Sequence, residues 1–339
     1  MANESVLIVG AGALGIVTGY YLQLAGAEVS FLVRPGRLPA LAEPQVLYCF
    51  DDHELKHFTG YHAYGSVGEA RVRAYDFVIV TMDGATCRGA EAVALLTELG
   101  DAIRDSKAIA VISGVGVREH CRDTMRMPGE RVIEATMGML SYQTDRVTLP
   151  LNPPTDPQKL AKASMGYKAM GKNPGFMVVS PPAQAAKAFA ALYDRSGISK
   201  AAIFKGKMFD MFATSIFVTM AMFDLKGWPH AEVLAQDKEL MALGSRASKE
   251  CMRLPQFGLL GKAMSLMMGA GNMAKNNAKM ERDCLPVDYS AFNQFHHGGK
   301  VREQDIQVLR DCLASGRAQG RAMPALGELL ERYEAHIRA

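Results

Sequence analysis

The first sixty residues alternate between two hydrophobic periods. Residues 5–9 form a short apolar run that ends in glycines, which predicts a buried strand. Residues 14–24 then repeat at helical spacing until Gly26, and residues 28–33 return to strand character. The result is a strand–helix–strand unit of about thirty residues, the usual length for such a unit. Residues 76–81 (DFVIVT) and 108–112 (AIAVI) are continuous apolar runs, the pattern of central parallel strands covered on both faces. Residues 131–135 and 176–179 are predicted as later strands. Beyond Gly197 the spacing becomes helical, predicting helices over 208–223, 231–252, 305–315 and 325–336. An α/β domain over 1–198 followed by an all-α domain over 199–339 is therefore expected, with the boundary close to Ser199. The proline-rich residues 149–156 and the glycine- and asparagine-rich residues 269–277 are expected to be loops, the second mobile.

A chain of 339 residues is long enough for two cores. With 49% hydrophobic and 22% charged residues it reads as an ordinary globular protein. A net charge of +3 is too weak and dispersed to suggest a nucleic-acid partner. Six cysteines (Cys49, Cys87, Cys121, Cys251, Cys284, Cys312) show no framework spacing, so free thiols and a cytoplasmic location are expected. The first residues lack a signal-peptide pattern. The longest candidate for membrane insertion, residues 213–223, is about half the length a bilayer needs. No membrane partner is expected. The 21 methionines, dense between Met208 and Met280, read as adaptable core filling.

Chemistry enters at the first turn. Gly10, Ala11, Gly12, Ala13, Leu14 and Gly15 form a GxGxxG run that follows a strand and opens a helix. In that context Gly10 permits a tight turn and Gly12 lets a pyrophosphate approach the backbone. Gly15 lets the helix pack close to the strand. The N–H groups at the positive end of the helix then hold the anion. At the end of the second strand, where an NAD site usually carries an acid, the chain has Arg34, with Arg37 three residues on. A guanidinium offers a 2′-phosphate paired charge-assisted bonds. The α/β domain is thus expected to be Rossmann-like and to bind NADP(H), with Arg34 the first contact and Arg37 the second.

Lys205 and Lys207 open the first long helix of the second domain, and Lys207 is expected at the mouth of a cleft. At this point the chain resembles the ketopantoate reductase (2-dehydropantoate 2-reductase) family over nearly its whole length. That family has a lysine opening this helix, matched by Lys207, and asparagines four and eight residues later, where Met211 and Ser215 stand here. Its G-[RK]-x-[ST]-E-x-D run is similar to Gly299–Asp305, with Arg302 replacing the small hydroxyl residue. Ser290-Ala291-Phe292 lies where its serine segment belongs, and Gly320–Pro324 is similar to its G-x-x-x-P turn. The resemblance implies a reductase of a small 2-keto acid, in pantothenate biosynthesis, with Lys207 as general acid and Glu303 binding the substrate hydroxyl. It implies Ser113, Ser215 and Ser290 as substrate contacts, with Thr81 and Gly114 completing the cofactor set. Two departures bear on substrate: Asp83 stands where the family has a lysine, and Ser113 where it has an asparagine.

Two other readings stay open: an imine-reducing opine-type dehydrogenase and a non-catalytic NADP(H)-binding sensor. A small-molecule substrate is expected, and a homodimer is the assembly allowed for. Asp51, Asp52, His53, Glu54 and His57 resemble a metal cluster, but no helical face unites them and no metal site is expected. His296 and His297 precede two glycines and are expected in a loop near the active site.

Overall fold

The computed structural model describes residues 3–169 and 173–338. The chain divides into two units, Met1–Phe204 and Lys205–Ala339. Among the described residues the strands are β1 (Ser5–Val9), β2 (Glu28–Leu32), β3 (Gln45–Cys49), β4 (Glu54–Phe58), β5 (His62–Tyr64) and β6 (Phe77–Val80). They continue with β7 (Ile109–Ile112), β8 (Val132–Met137), β9 (Met139–Gln143), β10 (Met165–Ala169), β11 (Phe176–Ser180) and β12 (Ala201–Lys205). The helices of the first unit are α1 (Ala13–Leu24), α2 (Leu38–Ala42), α3 (Val67–Ala70), α4 (Gly84–Arg88), α5 (Ala90–Ile103), α6 (Arg118–Met125), α7 (Pro157–Leu160) and α8 (Ala183–Asp194).

The main sheet has the order β12-β11-β8-β7-β6-β1-β2-β5. From β8 to β5 every pairing is parallel, while β11 runs antiparallel to β8. The strand order reverses between β1 and β6, which is where doubly wound sheets open a crevice beyond their carboxyl ends. Alternate residues of β1 serve opposite faces. Val6 and Ile8 join one core with Ile16, Val17 and Tyr21 of α1, and Leu7 and Val9 join the other with Leu96 and Leu99 of α5. Burial on both faces explains why the central strands are continuously apolar.

A second sheet, β4-β3-β10-β9, was not anticipated. It packs on α1, where Tyr167 meets Tyr21 edge to face with ring centroids 5.8 Å apart, so α1 lies between two sheets. The residues that resembled a metal cluster belong to the β3–β4 hairpin. Asp51 pairs with Lys168, Asp52 with Lys56 at 2.5 Å, and Glu54 with Lys159 at 2.7 Å. Among the described residues no three His, Cys, Asp or Glu side chains converge as metal ligands. The division between units falls between Phe204 and Lys205, later than Ser199, because β12 is an edge strand of the main sheet. None of its five residues is buried, so it lacks the continuous apolar run that marks the central strands.

The second unit is helical: α9 (Gly206–Leu225), α10 (Ala231–Leu234), α11 (Lys238–Met252), α12 (Gly258–Ser265), α13 (Ala270–Cys284), α14 (Tyr289–Phe295), α15 (Arg302–Ala318) and α16 (Pro324–Arg338). Helix α9 is longer than the apolar run within it. Among the described residues it is the only helix long and apolar enough to cross a membrane by length and composition. Most of its apolar window is buried, and it packs against α11, α15 and α16 as a core helix does.

Two expectations are corrected here. The single helix over 231–252 breaks before Asp237, whose carboxylate accepts the Leu240 amide at 3.0 Å and starts α11. Removing that cap in Asp237→Ala is expected to cost about 1 kcal/mol. Urea unfolding should show a lower midpoint with an unchanged slope. The loop expected over 269–277 is instead the start of α13. Met273, Asn277 and Cys284 are buried there at helical spacing, so tertiary packing overrides the glycine and asparagine content.

Candidate cofactor site and catalytic residues

The glycine run occupies the turn from β1 into α1, at the strand-order reversal. Gly10 has φ +103°, and its amide donates to the Leu32 carbonyl at 2.9 Å. A Cβ on Gly15 would stand 2.3 Å from the Gly10 carbonyl oxygen, so only glycine lets the helix approach the turn this closely. Gly12 is different: a Cβ there would meet no atom within 4 Å. The backbone at Gly12 is therefore open on the side where a side chain would project. Ala11 and Ala13 are buried, and Leu14 packs against the core.

Thr81 follows β6, and its hydroxyl donates to the Val9 carbonyl at 2.9 Å, bracing the turn. Ser113 and Gly114 follow β7 alongside, with the Ser113 amide donating to Val80 at 3.0 Å. The Ser113 hydroxyl is buried and has no hydrogen-bond partner among the described residues. Gly114 is packed so tightly that a Cβ would lie 3.0 Å from the Met82 carbonyl oxygen. Arg34 follows β2, is exposed, and its guanidinium has no hydrogen-bond or ion-pair partner among the described residues. Gly10 to Gly15, Arg34, Thr81, Ser113 and Gly114 therefore share the carboxyl edge of the central strands. Asp83 is held by local structure: its carboxylate caps α4, accepting the Thr86 amide at 2.9 Å and the Thr86 hydroxyl at 2.6 Å.

In the second unit, Lys205 is the N-cap of α9 and Lys207 lies in its first turn, exposed and without a side-chain partner among the described residues. One turn on, desolvation by surrounding protein raises the pKa of the Asp210 carboxyl, although the side chain still reaches solvent. Met211 and Ser215 are buried, and the Ser215 hydroxyl donates to the Met211 carbonyl at 3.0 Å. Ser290 is buried too, its hydroxyl donating to the Pro229 carbonyl at 2.9 Å. Both protons are therefore engaged by backbone, and only oxygen lone pairs remain for another group.

Glu303 and Asp305 open α15 with opposite fates. Glu303 is exposed and pairs with Arg310 at 3.4 Å, while Asp305 is buried with its carboxylate 2.6 Å from Nδ1 of His297. Arg302, which stands where the resembled family has a small hydroxyl residue, lies 3.1 Å from the buried carboxylate of Asp224. Asp224 also accepts the Tyr333 hydroxyl at 3.1 Å, so the buried carboxylate has both a cation and a hydroxyl donor beside it. His296 and His297 stand on a π-helical turn (His296–Lys300) that continues α14, not in a loop. Burial, with the charges of His297 and Lys300, holds the His296 pKa well below the usual imidazole range. The His297–Asp305 pair went unnoticed in the sequence, where its only signal was two polar residues flanking a glycine turn.

Residues 6–149 match the family model described as Ketopantoate reductase PanE/ApbA. Over this segment the chain is similar to a ketopantoate reductase domain. The segment contains β1 to β9, the glycine turn, Arg34, Thr81, Ser113 and Gly114, and the family it resembles is one of oxidoreductases. Solved structures extend the likeness of fold beyond the PanE/ApbA domain. The 2-dehydropantoate 2-reductase of Methylococcus capsulatus superposes with a TM-score of 0.68 at 15% identity, covering 98% of this chain and 96% of its own. That of Geobacter metallireducens GS-15 gives 0.64 at 17%, covering 98% and 99%. A D-mandelate dehydrogenase, solved with NADH and anilino(oxo)acetate, gives 0.66 at 13%, covering 98% and 97%. The arrangement of an α/β unit followed by a helical unit is shared by all three. No curated protein sequence matches the chain.

Proposed function

We propose that this protein is an NADP(H)-dependent reductase of 2-dehydropantoate 2-reductase type, converting a small 2-keto acid to the 2-hydroxy acid. The supporting observation is the glycine turn, open at Gly12, with the partnerless Arg34 at the end of the neighbouring strand. The α1 N-terminus would hold a pyrophosphate, and Arg34 a 2′-phosphate that an acid at this position would repel. A bound nicotinamide would supply the hydride. Lys207 then gives a proton from Nζ to the substrate carbonyl oxygen, and Glu303 accepts a bond from the substrate hydroxyl. The buried Ser113 hydroxyl is a donor still seeking an acceptor, which suits a carboxylate or carbonyl oxygen. The proteins of like fold act on ketopantoate or on mandelate, so the 2-keto acid (2-hydroxy acid) pair is their common denominator. Asp83, Ser113, Met211 and Ser215 replace the polar set expected for ketopantoate, which favours a different acid within that class. The six free thiols fit a reducing cytoplasm.

Steady-state NADPH oxidation against a panel of 2-keto acids, with and without amines, tests this reading. Amine-independent turnover supports it. Turnover only with an amine would mean imine reduction, and tight NADPH binding without any turnover would mean a sensor. Arg34 gives a separate expectation: NADPH should bind at least about tenfold more tightly than NADH, roughly 1.4 kcal/mol. In Arg34→Asp the preference should shrink or invert. Equal affinities of the wild type for both cofactors in calorimetry would refute the role of Arg34.

A further inference from the structure

In the second unit Arg253, Lys262 and Arg321 line an open cavity of about 530 Å³, together with Ala263 and Leu266. No carboxylate is among the lining residues. Each cation is carried by a fixed piece of backbone. Arg253 follows α11, its amide donating to the Lys249 and Glu250 carbonyls at 3.1 and 3.2 Å. Its Nε donates at 2.8 Å to the hydroxyl of Ser265, which is completely buried and in turn donates to the Lys262 carbonyl at 2.7 Å. The buried hydroxyl therefore aims the guanidinium and leaves its two terminal nitrogens for another acceptor. Arg321 stands on the turn after α15, its amide bonded to the Gly316 carbonyl at 2.9 Å. The side chains of Lys262 and Arg321 have no hydrogen-bond or ion-pair partner among the described residues. Helix C-termini nearby carry about half a negative charge each at most, which offsets only part of three full positive charges.

We propose that this cavity binds an organic phosphate. Its dianionic head would be held by the Arg253 and Arg321 forks and by Lys262, and its aliphatic part would cover Ala263 and Leu266. Three cations lining one cavity match a phosphate better than a monocarboxylate, which would leave most of their charge uncompensated, and guanidinium forks favour bidentate oxygens. The aliphatic requirement comes from the apolar surface beside the charges. Leu266 is 75% exposed, and Leu259 and Met267 are exposed near it in sequence. An inorganic ion would leave that surface wet; an alkyl chain removes it from water at about 25 cal/mol per Å². The site consists wholly of second-unit residues and does not depend on the reductase reading.

Calorimetry on the full chain at low ionic strength tests it, with butyl phosphate, inorganic phosphate and butanol as probes. Butyl phosphate should bind saturably and more tightly than inorganic phosphate, with no binding of butanol. Arg253→Gln and Arg321→Gln should each weaken butyl phosphate by about tenfold or more, the usual effect of losing bonds to a charged group. All three cations are exposed, so the variants should keep the wild-type circular dichroism; Lys262→Glu provides an independent loss by charge reversal. No saturable binding, or unchanged affinity when all three cations are replaced by Gln, would overturn the proposal. So would co-sedimentation with phosphatidylserine vesicles that depends on these cations while butyl phosphate does not bind, since the surface would then dock on a membrane.

Discussion

Gly12→Val is expected to abolish dinucleotide binding while leaving stability almost unchanged. Gly12 has φ −78° and ψ −176°, an extended conformation open to any residue, and a Cβ there meets nothing within 4 Å. The fold therefore has no objection to a branched side chain; only a ligand approaching the backbone does. Gly15→Val is the contrasting variant. Its Cβ would begin 2.3 Å from the Gly10 carbonyl oxygen, a backbone atom that cannot rotate away, so the helix must shift. That variant should lose cofactor affinity together with about 1–3 kcal/mol of stability, the usual cost of overpacking. Titration calorimetry with NADPH and urea unfolding, run on both, separate the two effects. Normal NADPH affinity in a folded Gly12→Val protein would place the cofactor elsewhere.

On a verified substrate, Lys207→Ala should lower turnover by about 10²–10⁴-fold, the range for a lost general acid. NADPH affinity should stay nearly constant, because the proton is needed only as charge develops on the carbonyl oxygen. Lys205 is the internal control. It is the last residue of β12 and the N-cap of α9, two positions before Lys207, and Lys205→Ala should be mild. A crippled Lys205→Ala beside an active Lys207→Ala would exchange the two assignments. If neither change matters, His297 becomes the acid to examine, since the buried Asp305 orients its ring.

The β1–α1–β2 segment was legible because its constraints are local. Strands covered on both faces must be apolar throughout, and the turn between β1 and α1 needs glycine at fixed offsets. The second sheet was hidden because β4 is half exposed and shows no continuous apolar run, with Asp51, Asp52 and His53 between β3 and β4. A hairpin turn and a ligand cluster look alike when only composition is read. Arg302 could not be understood from its own segment, since its partner Asp224 sits at the end of another helix. The run Gly299–Asp305 did not reveal which face each of its residues would take. Glu303 and Asp305, two positions apart on a helix, point in different directions, one to solvent and one to His297.

Helix α1 is held between two sheets, with Tyr21 packed against Tyr167 on one side and Val6 and Ile8 on the other. Its first amides are therefore pointed before any anion arrives. The conformational freedom of that end is surrendered when the unit folds, so the dinucleotide proposed to bind there would meet a lock already cut to shape. Affinity at this end is thus set by the contacts themselves, with little subtracted for ordering the helix that makes them.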